Sequence, residues 1–180
     1  MIRRLITALL SIVIVLVLLL ILAAKFLFPS TTYTDLAYYQ ALTEENHTMP
    51  KLETLGAYSD IALTYTHRKI ISFESDCYKL AVTYDPATYG LRKAALAQNY
   101  TFEEDPIEDL KDGLRSADFS LGLADYRMLD AQTYGLEYPK CMIFIGTSDT
   151  DNCITYIFFQ DEGLDYIDSS LSDFFSEQLG

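Results

Sequence analysis

Cysteine, histidine and paired carboxylates are the side chains here that could do covalent, metal or acid–base chemistry. The chain has three cysteines, Cys77, Cys141 and Cys153, and two histidines, His47 and His67. There is no Cys-x-x-Cys and neither histidine stands in a ligand-spaced set, so the patterns of thiol redox and structural zinc sites are missing. An odd count leaves at least one cysteine unpaired in a monomer. If a bridge forms, Cys77 with Cys153 is the favoured pair, because both are expected to open strands after similar turns; three free, buried thiols are an equal expectation. Cys141 and Cys153 fall several residue pairs apart in one expected hairpin, beyond the ~4.4–6.8 Å Cα separation that a disulfide spans. His67 lies in Thr66-His67-Arg68-Lys69, the one basic cluster after the first thirty residues. That cluster could meet an anionic ligand, but a solvated strand end is the favoured reading.

Carboxylates are abundant, and calcium is the metal that would use them. Asp149-x-Asp151-Asn152 is compact enough for a partial calcium site, yet it lacks the glycine and the distal glutamate of an EF-hand loop. Asp and Asn are also ordinary turn residues. Two carboxylates can cleave glycosides as acid and base, but with 26 acidic residues no pair stands out. His-Glu-x-x-His, Gly-x-Ser-x-Gly and the phosphate-binding Gly-rich motif are all absent. The catalytic set is therefore expected to be empty. Tyr134, Tyr138 and Tyr166 are the candidate binding residues: they lie in connectors, where an amphipathic ring offers contact area at low entropic cost.

These residues must be carried by a chain with two unlike parts. Leu5 to Ala24 is a run of twenty residues without a charge, polar only at Thr7 and Ser11. At ~1.5 Å per residue a helix of that length spans ~30 Å, the hydrocarbon core of a bilayer. Arg3 and Arg4 precede the run and Lys25 follows it, so the positive-inside bias keeps the N-terminus cytoplasmic and exports the rest. The run is too long for a signal-peptide core, and Leu22 stands where a cleavage site wants a small residue. The expected organisation is a cytoplasmic stub over 1–4, a single-pass signal-anchor helix over 5–24, a juxtamembrane segment over 25–33 and one extracytoplasmic domain over 34–180. The anchor has no Gly-x-x-x-Gly face and no internal charge, which suits a tether.

Charge sets limits on partners. After residue 30 there are ten Lys+Arg against 26 Asp+Glu, a net of −16. Such a surface repels nucleic acid and anionic lipid headgroups, and suits a cationic partner or simple solubility.

Within the domain, Thr34 is expected to cap a helix from about Asp35 to Glu45. The residues from Ile61 to Tyr65 alternate as a half-buried strand does. His67-Arg68-Lys69 reads as a polar turn or edge, Ile70 to Glu74 resumes the strand pattern, and Glu74-Ser75-Asp76 turns the chain into the next strand, Cys77 to Tyr84. Asp85-Pro86 is a helix start, an N-cap carboxylate with proline at the first helical position. Strands are expected around Phe119–Leu123 and Tyr126–Leu129, interrupted at Gly122. Cys141–Gly146 and Cys153–Phe159 form the clearest hairpin, apolar on both faces and so central in its sheet. A last helix carries Leu171, Phe174 and Phe175. The fold class is α+β: an antiparallel sheet of about five or six strands packed by two or three helices. The function expected is a membrane-anchored, non-enzymatic interaction domain that binds a protein or peptide. The alternatives are a cell-envelope hydrolase using unidentified carboxylates, and a small structural subunit of a membrane complex.

Overall fold

The computed structural model describes residues 10–16, 31–70, 73–104, 118–138 and 140–161. Residues 10–16 are helical, and the side chains of Leu10, Ile12, Val13, Ile14, Val15 and Leu16 are half or more exposed. Among the described residues no helix is long and apolar enough to cross a membrane. The rest of the expected anchor, the acidic stretch from Asp105 and the expected C-terminal helix lie outside them.

The domain is α+β, built on one antiparallel sheet of seven strands. In chain order the elements are β1 (Thr31–Tyr33), α1 (Leu36–Glu45), β2 (Asp60–Ile70), β3 (Phe73–Thr83), α2 (Pro86–Asn99), β4 (Asp118–Leu121), β5 (Ala124–Met128), α3 (Ala131–Tyr134), β6 (Cys141–Ser148) and β7 (Cys153–Asp161). The strand order is β1-β2-β3-β7-β6-β5-β4. The count exceeds the expected five or six because Thr31–Tyr33, inside the stretch read as juxtamembrane, pairs with Tyr65 to His67 as an edge strand.

Local sequence explains most boundaries. Asp35, one residue after the expected Thr34, caps α1 by accepting from the Ala37 amide at 2.9 Å. Asp85 caps α2 as expected, accepting from Ala87 and Thr88 amides at 3.0 and 3.1 Å, with Pro86 following. Gly122, at φ 62°, opens the two-residue loop that joins β4 to β5; the positive φ suits such tight hairpins.

The β2–β3 hairpin departs from expectation. His67-Arg68-Lys69 and Glu74-Ser75-Asp76 are not turns but continuous ladder, with His67 opposite Asp76 and Lys69 opposite Glu74. Polar residues suggested turns by composition. They hold a strand because opposite charges face each other across the pair, which stabilises a sheet.

That change of register also removes the expected bridge. Cys77 lies mid-strand opposite Phe159, whereas Cys153 lies opposite Thr83. Six residue pairs at ~3.3 Å each put them about 20 Å apart, well beyond disulfide reach. All three cysteines are free thiols. Burial pushes Cys77 up to about 12 and Cys141 up to about 11, so neither supplies a thiolate near neutrality.

Both faces of the central strands are covered, as their unbroken apolar runs require. On one face Leu63, Leu80, Ile143, Ile154 and Tyr156 pack with Tyr39 of α1 and with Tyr89 and Leu96 of α2. On the other, Met128, Met142, Phe144, Ile157 and Phe159 form a second cluster, none more than 1 % exposed. There Tyr126 of β5 stands opposite Gly146 of β6, and a Cβ at Gly146 would collide with the Tyr126 ring. Gly146→Ala should therefore destabilise by about 1–3 kcal/mol, the usual result of overpacking. Adding Tyr126→Ala should make the glycine change nearly neutral in urea unfolding, a coupling that independent sites would not show.

Candidate functional site

Two adjacent rungs of the sheet build the site. The first is aromatic and crosses four strands: Tyr33, Tyr65, Tyr78 and Phe158 lie at paired positions of β1, β2, β3 and β7. Their ring centroids are spaced 5.4, 4.0 and 6.2 Å along the row, the Tyr65–Tyr78 pair stacked at 8°. Tyr38 of α1 closes on the row at 4.6 Å from Tyr33 and 5.4 Å from Tyr65. The second rung, one alternation outward on the same face, is polar. His67, Asp76, Gln160 and Cys141 follow one another across β2, β3, β7 and β6.

Where the two rungs meet, the helices leave a cavity of about 490 Å³, within the range of small-ligand pockets. Tyr78, Phe158, Asp76 and Gln160 form its floor. One wall is the C-terminal end of α1, with Leu42, Glu45 and the turn after it. Asn46 shapes that turn by accepting from the Thr48 and Met49 amides at 3.0 and 3.3 Å. The other wall is the end of α3, where Gly135 at φ 64° terminates the helix. Tyr134 belongs to this wall, and its hydroxyl accepts from the Thr101 amide at 2.9 Å.

The electrostatics of the cavity are one-sided. Glu45 and Asp76 contribute carboxylates; among the described lining residues His47 is the basic side chain and there is no lysine or arginine. Asp76 Oδ1 accepts from the Tyr65 hydroxyl at 2.7 Å and lies 2.9 Å from His67 Nδ1. Burial first, then Asp76, pushes the Tyr65 hydroxyl well above its ordinary value, so it stays a donor. Both bonds fall on Oδ1. Outward along the hairpin, Lys69 Nζ lies 3.0 Å from Glu74 Oε2. This hydrogen bond is the main cause of a lowered Glu74 carboxyl.

Of the residues singled out from the sequence, Tyr134 lines the cavity. Tyr138 packs against the Met142–Phe144 cluster on the opposite face of the sheet, and Tyr166 lies outside the described residues. The three are thus not one surface. Asp149 and Asp151 sit in the β6–β7 turn, where their bonds are structural. Asp149 accepts from the Tyr89 hydroxyl and from Lys93, tying the turn to α2; Asp151 accepts from Ser148 Oγ at 2.9 Å. A calcium ion at Asp149 would compete with the Lys93 ammonium. Among the described residues, the group of three candidate metal donors is instead His67, Glu74 and Asp76.

The Lys93 contact first, then Tyr89, lowers the Asp149 carboxyl, and the hydrogen bonds that Asp85 accepts from Thr88, then Ala87, as cap of α2 lower the Asp85 carboxyl. Carboxyls lowered by folding stabilise the native state above their ordinary value of 3.8, and that contribution is lost as pH falls below it. The unfolding midpoint should accordingly drop on acidification through this range, and Asp149→Asn should flatten the drop.

Sequence reading does not single out Asp76 and Glu45 as site residues, and it weighs His67 only as part of a basic cluster for an anionic ligand, with a solvated strand end favoured. The signal was the alternation Tyr65-x-His67-x-Lys69 against Glu74-x-Asp76-x-Tyr78, which places complementary groups on one face once the hairpin folds. No protein-family model, no curated protein and no solved structure matches this chain.

Proposed function

We propose that this chain is a membrane-anchored, extracytoplasmic, non-enzymatic binding domain whose cavity receives a cationic side chain of a protein or peptide partner. The observation that carries the reading is the cavity itself: two carboxylates, Glu45 on a wall and Asp76 beside the aromatic floor of Tyr78 and Phe158, with His47 and no lysine or arginine among the described lining residues. A guanidinium fits such a site on three counts. It donates several hydrogen bonds to carboxylates, it stacks on aromatic faces, and it sheds water more readily than an ammonium. The excess of acidic residues after position 30 adds a long-range field that draws a cationic partner toward the domain. An apolar run over 5–24, following two arginines, supports the anchor.

Crosslinking in native membranes tests this reading. A partner recovered in stoichiometric yield should be lost in about 0.5 M salt, where the Debye length falls to a few ångströms, and lost again with Asp76→Asn. Recovery indifferent to both would contradict an acidic docking site. Turnover of an envelope substrate abolished by either Glu45→Gln or Asp76→Asn would instead favour the hydrolase alternative, since that reading would use the same two carboxylates.

A further inference from the structure

The end of the β2–β3 hairpin carries a second constellation beside the cavity. His67, Glu74 and Asp76 each offer a donor atom, and these atoms all lie within 4.8 Å of one another. Their side chains are 26, 41 and 24 % exposed, so an ion reaches them without opening the fold. The two ring nitrogens of His67 face different carboxylates: Nδ1 is 2.9 Å from Asp76 Oδ1, and Nε2 is 3.9 Å from Glu74 Oε1. An imidazole that donates its Nδ1 proton to a carboxylate presents an Nε2 lone pair, the arrangement by which carboxylates orient metal-binding histidines. Two ligands at about 2.1 Å from a tetrahedral ion stand about 3.4 Å apart. A side-chain adjustment of about half an ångström would bring Nε2 and the Glu74 carboxylate to that spacing.

We infer that His67 Nε2 and Glu74 bind a divalent transition-metal ion of the zinc class, with Asp76 as the positioning residue and water completing the coordination. The imidazole ligand selects this class over calcium and magnesium, which take oxygen donors. Lys69 is a competitor built into the site, since its ammonium already holds Glu74 Oε2. The ion must displace or share that contact, which sets the affinity below that of a closed structural site. His67 and Glu74 do not line the cavity and only Asp76 is common to both, so this site stands whether or not the cavity receives a cation.

The chain has only two histidines, His47 and His67, so an imidazole ¹⁵N spectrum resolves each. The full chain in detergent micelles, stripped with chelator and free of peptide, would be titrated with Zn²⁺. The His67 Nε2 resonance should move within the first equivalent while His47 stays in place. Glu74→Gln and Asp76→Ala should each weaken binding about tenfold or more, as loss of a ligand or of its orienting partner does. Lys69→Gln should tighten binding several-fold, an effect that a merely acidic surface would show far more weakly. Three outcomes would overturn the site: no response at His67, equal responses from both histidines, or an affinity unmoved by Glu74→Gln in a variant that still unfolds cooperatively.

Discussion

Replacing Phe144 by alanine is expected to remove about 3–5 kcal/mol of stability, the cost of truncating a fully buried aromatic side chain. Phe144 is 0 % exposed on β6, between Met128 of β5 and Ile157 of β7 in register. Its ring also meets Phe119 of β4 edge-on, with centroids 5.6 Å apart. Ladder hydrogen bonds hold β6 on both sides, so the strands cannot close in to fill the void, and the cavity term adds to the lost burial. Because a domain of this size is stable by only ~5–15 kcal/mol, the variant should lose a large part of its margin. Urea unfolding of the full chain in mild detergent, followed by near-ultraviolet circular dichroism, reads this directly. Leu91→Ala is the control: Leu91 is 75 % exposed on α2, and its removal should move stability by about 0.5 kcal/mol or less. Equal effects at the two positions would mean that the second face of the sheet is not a core.

Asp76→Asn should separate binding from folding. Asparagine keeps an acceptor for the Tyr65 hydroxyl and for His67 Nδ1–H, so the hairpin end should retain its bonds and the unfolding midpoint should move little. The charge that faces the cavity is gone, however. Truncating one partner of a buried charge pair costs about 2–5 kcal/mol. Asp76 is 24 % exposed, so solvent screening trims this to the lower end, about tenfold or more in the dissociation constant of an arginine-bearing peptide. Glu45→Gln, on the exposed wall of the same cavity, should weaken the peptide less. The reverse order would place the cation against α1 and not on the sheet.

The legible parts of the fold were those in which pattern and local chemistry agree. The β6–β7 hairpin was readable because both faces of both strands are apolar, which only a central position satisfies. Asp85-Pro86 announced α2 because the carboxylate and the proline each fit one position at a helix start and nowhere else so well. The β2–β3 hairpin end was not readable. His67-Arg68-Lys69 and Glu74-Ser75-Asp76 have turn composition, and only their cross-strand partners make them strand. That misreading hid the site, because the pairing of His67 with Asp76 exists only in the correct register. It also misplaced Cys77, whose expected partner followed from a turn that is not there. Tyr134 was visible as a connector aromatic and does line the cavity, whereas Tyr138 has the same sequence character and packs against the opposite face. Composition gives a ring's chemistry; the sheet decides which side it serves.

The most direct test of the docking cavity compares two peptides that differ by one charge: a short, otherwise uncharged peptide carrying one arginine, and the same peptide with citrulline, its uncharged isostere. Each would be titrated into the ¹⁵N-labelled full chain in detergent micelles while amide resonances are followed. The arginine peptide should shift the amides of Leu42, Asn46, Tyr78 and Gln160, which surround the cavity, and saturate. The citrulline peptide should leave them in place. Equal shifts from both peptides, or arginine-specific shifts confined to the β6–β7 turn around Asp149 and Asp151, would contradict a cation site between Glu45 and Asp76.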